Sequence, residues 1–382
     1  MQTSNPMEAI LNKLQEARNN GEKMFDFTLS NPNLGVSNAM KSILISVVDS
    51  ARNEDFGYAP SQGLLSTRQT IADDLNLQAQ RNWSVTAQDI TIVPGAAGGL
   101  CALFKALLQQ DDEVIGVKPY FPSYTHYIEN AGAHYVPVDA HEDFALNIDN
   151  VIAAINEKTK VILLNSPNNP SGVIYSAEQL AQLAQKLTEL AQHGQKIDVI
   201  SDEAYARVTY DSASVPSIID FYEHSIRVVS FSKDLGLAGI RIGYIETTPN
   251  YRMLKLQDKL GAMIRNLGFV NTSTLAQKAL LKGLNETVSI EYYQAQKDQI
   301  VAILDELNIS YCAPKGGLFL LAKSPIDDSG LWISTLLKHG VAVVPGSLYG
   351  APAYFRISTT IDEQQINASK GSWKAALAEL SC

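Results

Sequence analysis

Ser230-Phe231-Ser232-Lys233-Asp234-Leu235-Gly236-Leu237-Ala238-Gly239-Ile240-Arg241-Ile242-Gly243-Tyr244 is the stretch on which the reading of this chain turns. The apolar run Arg227-Val228-Val229 leads into it and predicts a buried strand, and the run from Ile242 to Ile245 leads out and predicts another. Between them Lys233 stands among Ser230, Ser232, Gly236 and Gly239, and Arg241 follows. A solvated surface needs no such neighbours. A Schiff-base site does: an amine that reaches a carbonyl, and a cation that holds a phosphate. Most lysines are exposed and carry no chemistry, so Lys233 matters only if other residues converge on it.

Outward from this stretch, short apolar runs at 90–93, 113–117, 134–138, 161–164 and 197–200 alternate with helical segments, among them 97–109, 149–156 and 176–193. The alternation predicts an α/β fold, with a large domain whose mainly parallel sheet is flanked by helices. Such sheets bind ligands at the carboxyl ends of their strands. Beyond residue 245 the chain reads as helical to about 306. It then reads as strands at 317–321, 341–344 and 354–358 with helices at 329–338 and 361–379, a smaller α+β domain. The helix 7–18 and the segment 23–35 are expected to pack with that smaller domain. The expected division is 1–45 as an N-terminal segment, 46–285 as the large domain and 286–382 as the small one. No Gly/Ser-rich linker marks the joint, so a continuous helix is expected there.

A chain of 382 residues with 46% hydrophobic residues has room for two domains. Its net charge of -10 argues against nucleic acid or an anionic membrane as the main partner. Cys101, Cys312 and Cys382 are scattered, and the six histidines show no paired spacing, so no disulfide framework and no metal site is expected. There is no basic segment followed by an apolar core, and no apolar run of about 18 residues, so the expected compartment is cytoplasmic, without a membrane partner.

The predicted strand ends carry the chemistry. Pro94-Gly95-Ala96-Ala97-Gly98-Gly99 opens a helix and leaves N–H groups free for an anion, though such turns are often only tight connections. Asn165-Ser166-Pro167-Asn168-Asn169-Pro170-Ser171-Gly172 presents an amide at a strand end, or is turn chemistry alone. Asp202, in Ser201-Asp202-Glu203-Ala204-Tyr205, would need a partner if buried. A pyridinium N–H is one such partner, and a helix cap is the other reading. Tyr205 could donate to a phenolate oxygen on the same ring. Arg356, between Phe355 and Ile357, would need a carboxylate, either from a substrate or from an internal ion pair.

Taken together these residues resemble the pyridoxal-5′-phosphate enzymes of fold type I, in the class I/II aminotransferase family of the aspartate aminotransferase superfamily. The resemblance runs from about residue 24 to the end. Its most specific piece is Ser230-x-Ser-Lys233 with Gly239-x-Arg241-x-Gly243-Tyr244, supported by Asn169-Pro170-x-Gly172, Asp202-Glu203-x-Tyr205, Pro314-x-Gly316-Gly317-x-Phe319, Val344-Pro345-Gly346 and Arg356-Ile357-Ser358. It implies roles. Lys233 would bond the cofactor and carry the Cα proton. Gly95, Ala96, Ala97, Ser230 and Arg241 would hold the phosphate, and Phe121 would stack on the ring. Asp202 would pair with the ring nitrogen, while Asn169 and Tyr205 would bind its O3′. Tyr58, in Tyr58-x-Pro60-x-x-Gly63, would reach the phosphate of a neighbouring subunit, which implies a homodimer with shared sites. Arg356 would hold the substrate α-carboxylate, and Asn169, Ser30 and Asn31 would lie near the substrate.

The implied reaction moves an amino group between an L-amino acid and a 2-oxo acid. The chain departs from the family pattern at Ser30-Asn31-Pro32, where a glycine is usual, and at Asn165-Ser166, where Asn-Pro is commoner. The same site could serve a lyase or cyclase, and Ser30 is the one hint of it. Arg265 could recognise a side-chain carboxylate or be a solvated helix residue. A ligand-sensing regulator is a third reading, weakened by the acidic charge and by the lack of a basic helix-turn-helix before residue 24.

Overall fold

The computed structural model describes residues 6–29, 31–78 and 81–380. Its strands are β1 (Phe25–Asp26), β2 (Ile90–Val93), β3 (Glu113–Lys118), β4 (His134–Asp139), β5 (Thr159–Asn165), β6 (Asp198–Asp202), β7 (Ser225–Ser230), β8 (Gly243–Thr247), β9 (Tyr311–Cys312), β10 (Phe319–Lys323), β11 (Val341–Ala342), β12 (Val344–Pro345) and β13 (Tyr354–Ser358). Seven of them form one sheet in the order β2-β8-β7-β6-β5-β3-β4. From β4 to β7 every pairing is parallel, while β8 runs antiparallel to both β7 and β2.

Alternate residues of each strand serve opposite faces, as a period of two requires. Val161 and Leu163 pack with Leu100, Phe104, Leu260 and Ile264 on one face. Ile162 and Leu164 pack with Val151, Leu180, Leu183 and Leu187 on the other. Helices therefore cover both sides, and only the strand ends remain open to a ligand.

A separate antiparallel sheet, β12-β13-β10-β9, and the parallel pair β1-β11 make the smaller α+β unit. Its core joins both ends of the chain: Ile10, Leu14, Phe25 and Phe27 pack with Ile300, Trp332, Phe355 and Trp373. The fold class expected from the sequence is the one observed.

The expected helical stretch after residue 245 is broken into Asn250–Met253, Leu256–Asn266, Thr274–Gly283 and Ile290–Glu306. No continuous helix crosses residue 285. Ser273 and Ser289 restart the chain as N-caps, accepting from the N–H groups of Ala276 and Tyr292. Gly268, at φ +86, closes the turn after Asn266. Among the described residues no helix is long and apolar enough to cross a membrane.

Candidate active site

Parallel pairing aligns the carboxyl ends of β3, β5, β6 and β7 on one edge of the large sheet. β8 runs the other way, so Arg241, just before its start, lies at that same edge beside the end of β7. There the helix Gly95–Leu107 begins directly after β2. Gly95 has φ +76, and a Cβ on it would stand 2.7 Å from Arg241 Nη2. Glycine thus lets the guanidinium close on the helix start, where free N–H groups and the dipole favour an anion. Arg241 Nη1 donates to Ser232 Oγ at 3.3 Å and to the Ala238 carbonyl at 2.8 Å. Ser230 Oγ donates to Ser232 Oγ at 2.9 Å and accepts from the Ser232 N–H at 3.2 Å.

Asp202 ends β6 and is buried. It caps no helix, because the chain turns instead at 204–207. Its Oδ1 accepts from the Ala204 N–H at 3.2 Å, and its Oδ2 accepts from the Tyr124 hydroxyl at 2.6 Å. Burial pushes Asp202 up to about 6, against these two donors. Lys233 is half-buried, with Nζ 5.9 Å from the centre of the Tyr205 ring. Burial, and then the positive charges of Arg356 and Arg241, lower its amine to about 8. Burial also raises the Tyr205 hydroxyl.

Arg356 crosses to the same cavity from β13 of the smaller unit. It lies 4.1 Å from the Phe319 ring centre and 5.2 Å from that of Tyr349. Its Nη2 donates to the Thr28 carbonyl at 2.9 Å and its Nη1 to Asn169 Oδ1 at 3.4 Å. Among the described residues no carboxylate compensates its burial, and its buried Nε has no hydrogen-bond partner. The internal ion pair that the sequence left open is not formed with any described residue.

Ala96, Ala97, Phe121, Asn169, Asp202, Tyr205, Ser230, Lys233, Arg241 and Arg356 all line one cavity of about 210 Å³. Gly95 lies at the helix start beside it. Tyr58, 89% exposed, lies outside it. Asn31 is exposed and is not among the lining residues, and Ser30 lies outside the described residues. Arg265 is also exposed, and it donates to Ser61 of the Tyr58 loop at 3.3 Å. A larger cavity, about 470 Å³, lies between the 142–145 loop and β9–β10, and it gathers none of these groups.

The sequence reading gave no role to three partners that the fold supplies: the Tyr124 hydroxyl on Asp202, Ser232 between Ser230 and Arg241, and the Thr28 carbonyl on Arg356. Tyr124 was visible in Pro119-Tyr120-Phe121-Pro122-Ser123-Tyr124, three residues after Phe121 on a helix start. Nothing local ties it to Asp202.

The class this architecture defines has a parallel sheet with an amine, an anion cradle and a buried carboxylate at its carboxyl edge. The chain belongs to the aminotransferase class I and II family, whose model matches residues 22–368. Enzymes of that family use pyridoxal phosphate, and this chain is a pyridoxal-phosphate-dependent aminotransferase. A probable aspartate/prephenate aminotransferase of Aquifex aeolicus is 28% identical over 395 residues, covering 98% of this chain and 96% of that protein. The crystal structure of an amino transferase from Eubacterium rectale matches with a TM-score of 0.93 at 28% identity, over 99% of this chain and 96% of that one. The aspartate aminotransferase of Thermus thermophilus with maleate matches with a TM-score of 0.86 at 25% identity, over 98% of this chain and 97% of that one.

Proposed function

We propose that this chain binds pyridoxal 5′-phosphate at Lys233 and moves the amino group of an acidic L-amino acid, aspartate first, to a 2-oxo acid. The observation that carries this reading is Arg356: a buried guanidinium that no carboxylate of the described residues pairs with, lining the same cavity as Lys233. The acidic preference rests on the relatives, which are named for aspartate and prephenate, and on the maleate in the Thermus structure.

The residues present fit the cofactor. Arg241 and the helix start at Gly95 are two positive elements facing one place, with no carboxylate of the described residues set against Arg241. Asp202 is a buried acid held near 6 for want of a cation. Bound there, pyridoxal phosphate supplies an aldehyde carbon and a ring that withdraws the electrons left when a Cα–H bond breaks. The chain's own residues do the rest. Gly95, Ala96, Ala97, Ser230, Ser232 and Arg241 would hold the phosphate, and Phe121 would lie against the ring. Asp202 would accept the ring N–H, with the Tyr124 hydroxyl, which donates to its Oδ2, favouring the ionised carboxylate. Asn169 and Tyr205 would hold O3′. Arg356 fixes the substrate carboxylate and so the orientation of the Cα substituents. Lys233 Nζ, poised near 8, takes the Cα proton and returns it. Tyr58, exposed as Phe56 and Leu65 are, would serve the phosphate of a partner subunit in a homodimer.

A donor screen with 2-oxoglutarate as acceptor tests the proposal. Aspartate gives stoichiometric glutamate, and Arg356→Ala raises its KM about 100-fold. Release of ammonia without new amino acid would show a lyase instead.

A further inference from the structure

Asp234 follows Lys233 in the chain, and the reaction above does not use it. Its side chain is 4% exposed. Its Oδ2 lies 3.0 Å from Arg207 Nη1, and beside that pair it has only the poorly aligned backbone N–H groups of Asp234 and Leu235 among the described residues. A buried carboxylate in that state depends on its ion pair. Arg207 sits two residues after Tyr205 and has further partners. Its Nη1 donates to the Leu284 carbonyl at 2.8 Å and its Nη2 to the Glu286 carbonyl at 2.9 Å. The Asp234 carbonyl accepts from the Val288 N–H at 2.7 Å. Glu286 Oε2 accepts from Ser37 Oγ at 3.0 Å, and Ser37 caps the helix Asn38–Asp49. Gly236, in the lysine turn, packs so closely on Val36 that a Cβ there would stand 3.3 Å from the Val36 nitrogen.

These contacts fall where the chain passes between its two units. Phe25 and Phe27 belong to the smaller unit's core, and Met40 belongs to the cluster beside the large sheet. On the return, Ala276, Leu280 and Leu284 belong to that large-sheet cluster, and Ile300, Ile303 and Leu304 to the smaller core. Both crossings, near 28–37 and 285–290, therefore meet at the lysine turn.

We propose that the Arg207–Asp234 ion pair is the joint that ties both crossings to the turn carrying Lys233. Arg207 and Asp234 are thus positioning residues for its proton transfer. The inference rests on Lys233 being the catalytic amine. Arg356 belongs to the smaller unit and Lys233 to the large sheet, so their alignment depends on how firmly the crossings are held to that turn.

The test compares full-length Asp234→Asn, Arg207→Gln and the double variant, with Lys233→Ala in parallel. Each single variant lowers kcat about tenfold to a hundredfold and leaves KM for the amino donor within about threefold. The double variant is no worse than either single, because both break one joint. Amide hydrogen exchange quickens at 31–37, 232–237 and 284–289 in each, with or without cofactor. Unchanged kcat in both singles, additive losses in the double variant, or unchanged exchange at the two crossings overturns the proposal. Opposite effects of the two singles also overturn it, since they would mean that the pair acts through its field on the amine. If Asp234→Asn does not fold, Arg207→Lys decides. It keeps the charge and loses the forked carbonyl bonds, so slowed turnover with faster exchange at 284–289 supports the joint, and wild-type behaviour overturns it. Full turnover in Lys233→Ala would instead refute the catalytic amine itself, independently of the exchange results.

Discussion

Asp202 owes its behaviour to a conflict between burial and hydrogen bonding. Burial drives it toward the neutral acid, while the Tyr124 hydroxyl and the Ala204 amide favour the ion, and the balance stands at about 6. Only the ion can accept a ring N–H⁺, so affinity of the cofactor-free protein for pyridoxal phosphate should fall as pH drops through that value. Tyr124→Phe removes the stronger donor. Loss of a donor to the charged form raises an acid's pKa, so the acid limb of the binding curve should move to higher pH by about one unit. Spectrophotometric titration at a series of pH values reads this, and an unmoved limb would remove Tyr124 from the account. The Tyr124–Asp202 bond spans 78 positions. Each residue's chemistry was visible in the sequence, and their pairing was not, because only the parallel register of β3, β5 and β6 brings them together.

The elements were legible in proportion to how local their signals are. The strands of the large sheet announce themselves as short apolar runs ending in turn residues, and the helix start at Gly95 as a run of small residues. The direction of β8 is not in its composition. It was implicit in the connection, however: residues 231–242 hold no α-helix, and a parallel partner would need a crossover. The breaks after residue 245 also had signals, Gly268 with Ser273 and Gly283 with Ser289, that the apolar periodicity of the flanking helices obscures. The helix start makes a prediction of its own. Gly95→Ala places a methyl against Arg241 at a positive φ, which costs about 1–2 kcal/mol of stability and forces the guanidinium from the cradle. Cofactor affinity should fall about tenfold or more, measured by titration of the cofactor-free protein, with inorganic phosphate competing less well. Unchanged affinity would show that the phosphate lies elsewhere.

At the scale of the molecule, the two ends of the chain build one small unit, and that unit delivers Arg356 to a cavity made by the large sheet. The sequence showed that both ends belong together in a class of fold, but not that Thr28, Phe319 and Tyr349 would hold the arginine between them. That arrangement comes from packing across residues far apart in the chain. One bond decides the site: of the described lysines, only Lys233 lines the cavity where phosphate cradle and buried acid meet. Borohydride reduction of the protein loaded with pyridoxal phosphate, followed by peptide mass spectrometry, fixes the cofactor to whichever lysine it has bonded. The predicted result is a single reduced adduct, on Lys233, that is absent from Lys233→Ala. An adduct on another lysine, or one that persists in Lys233→Ala, would contradict it.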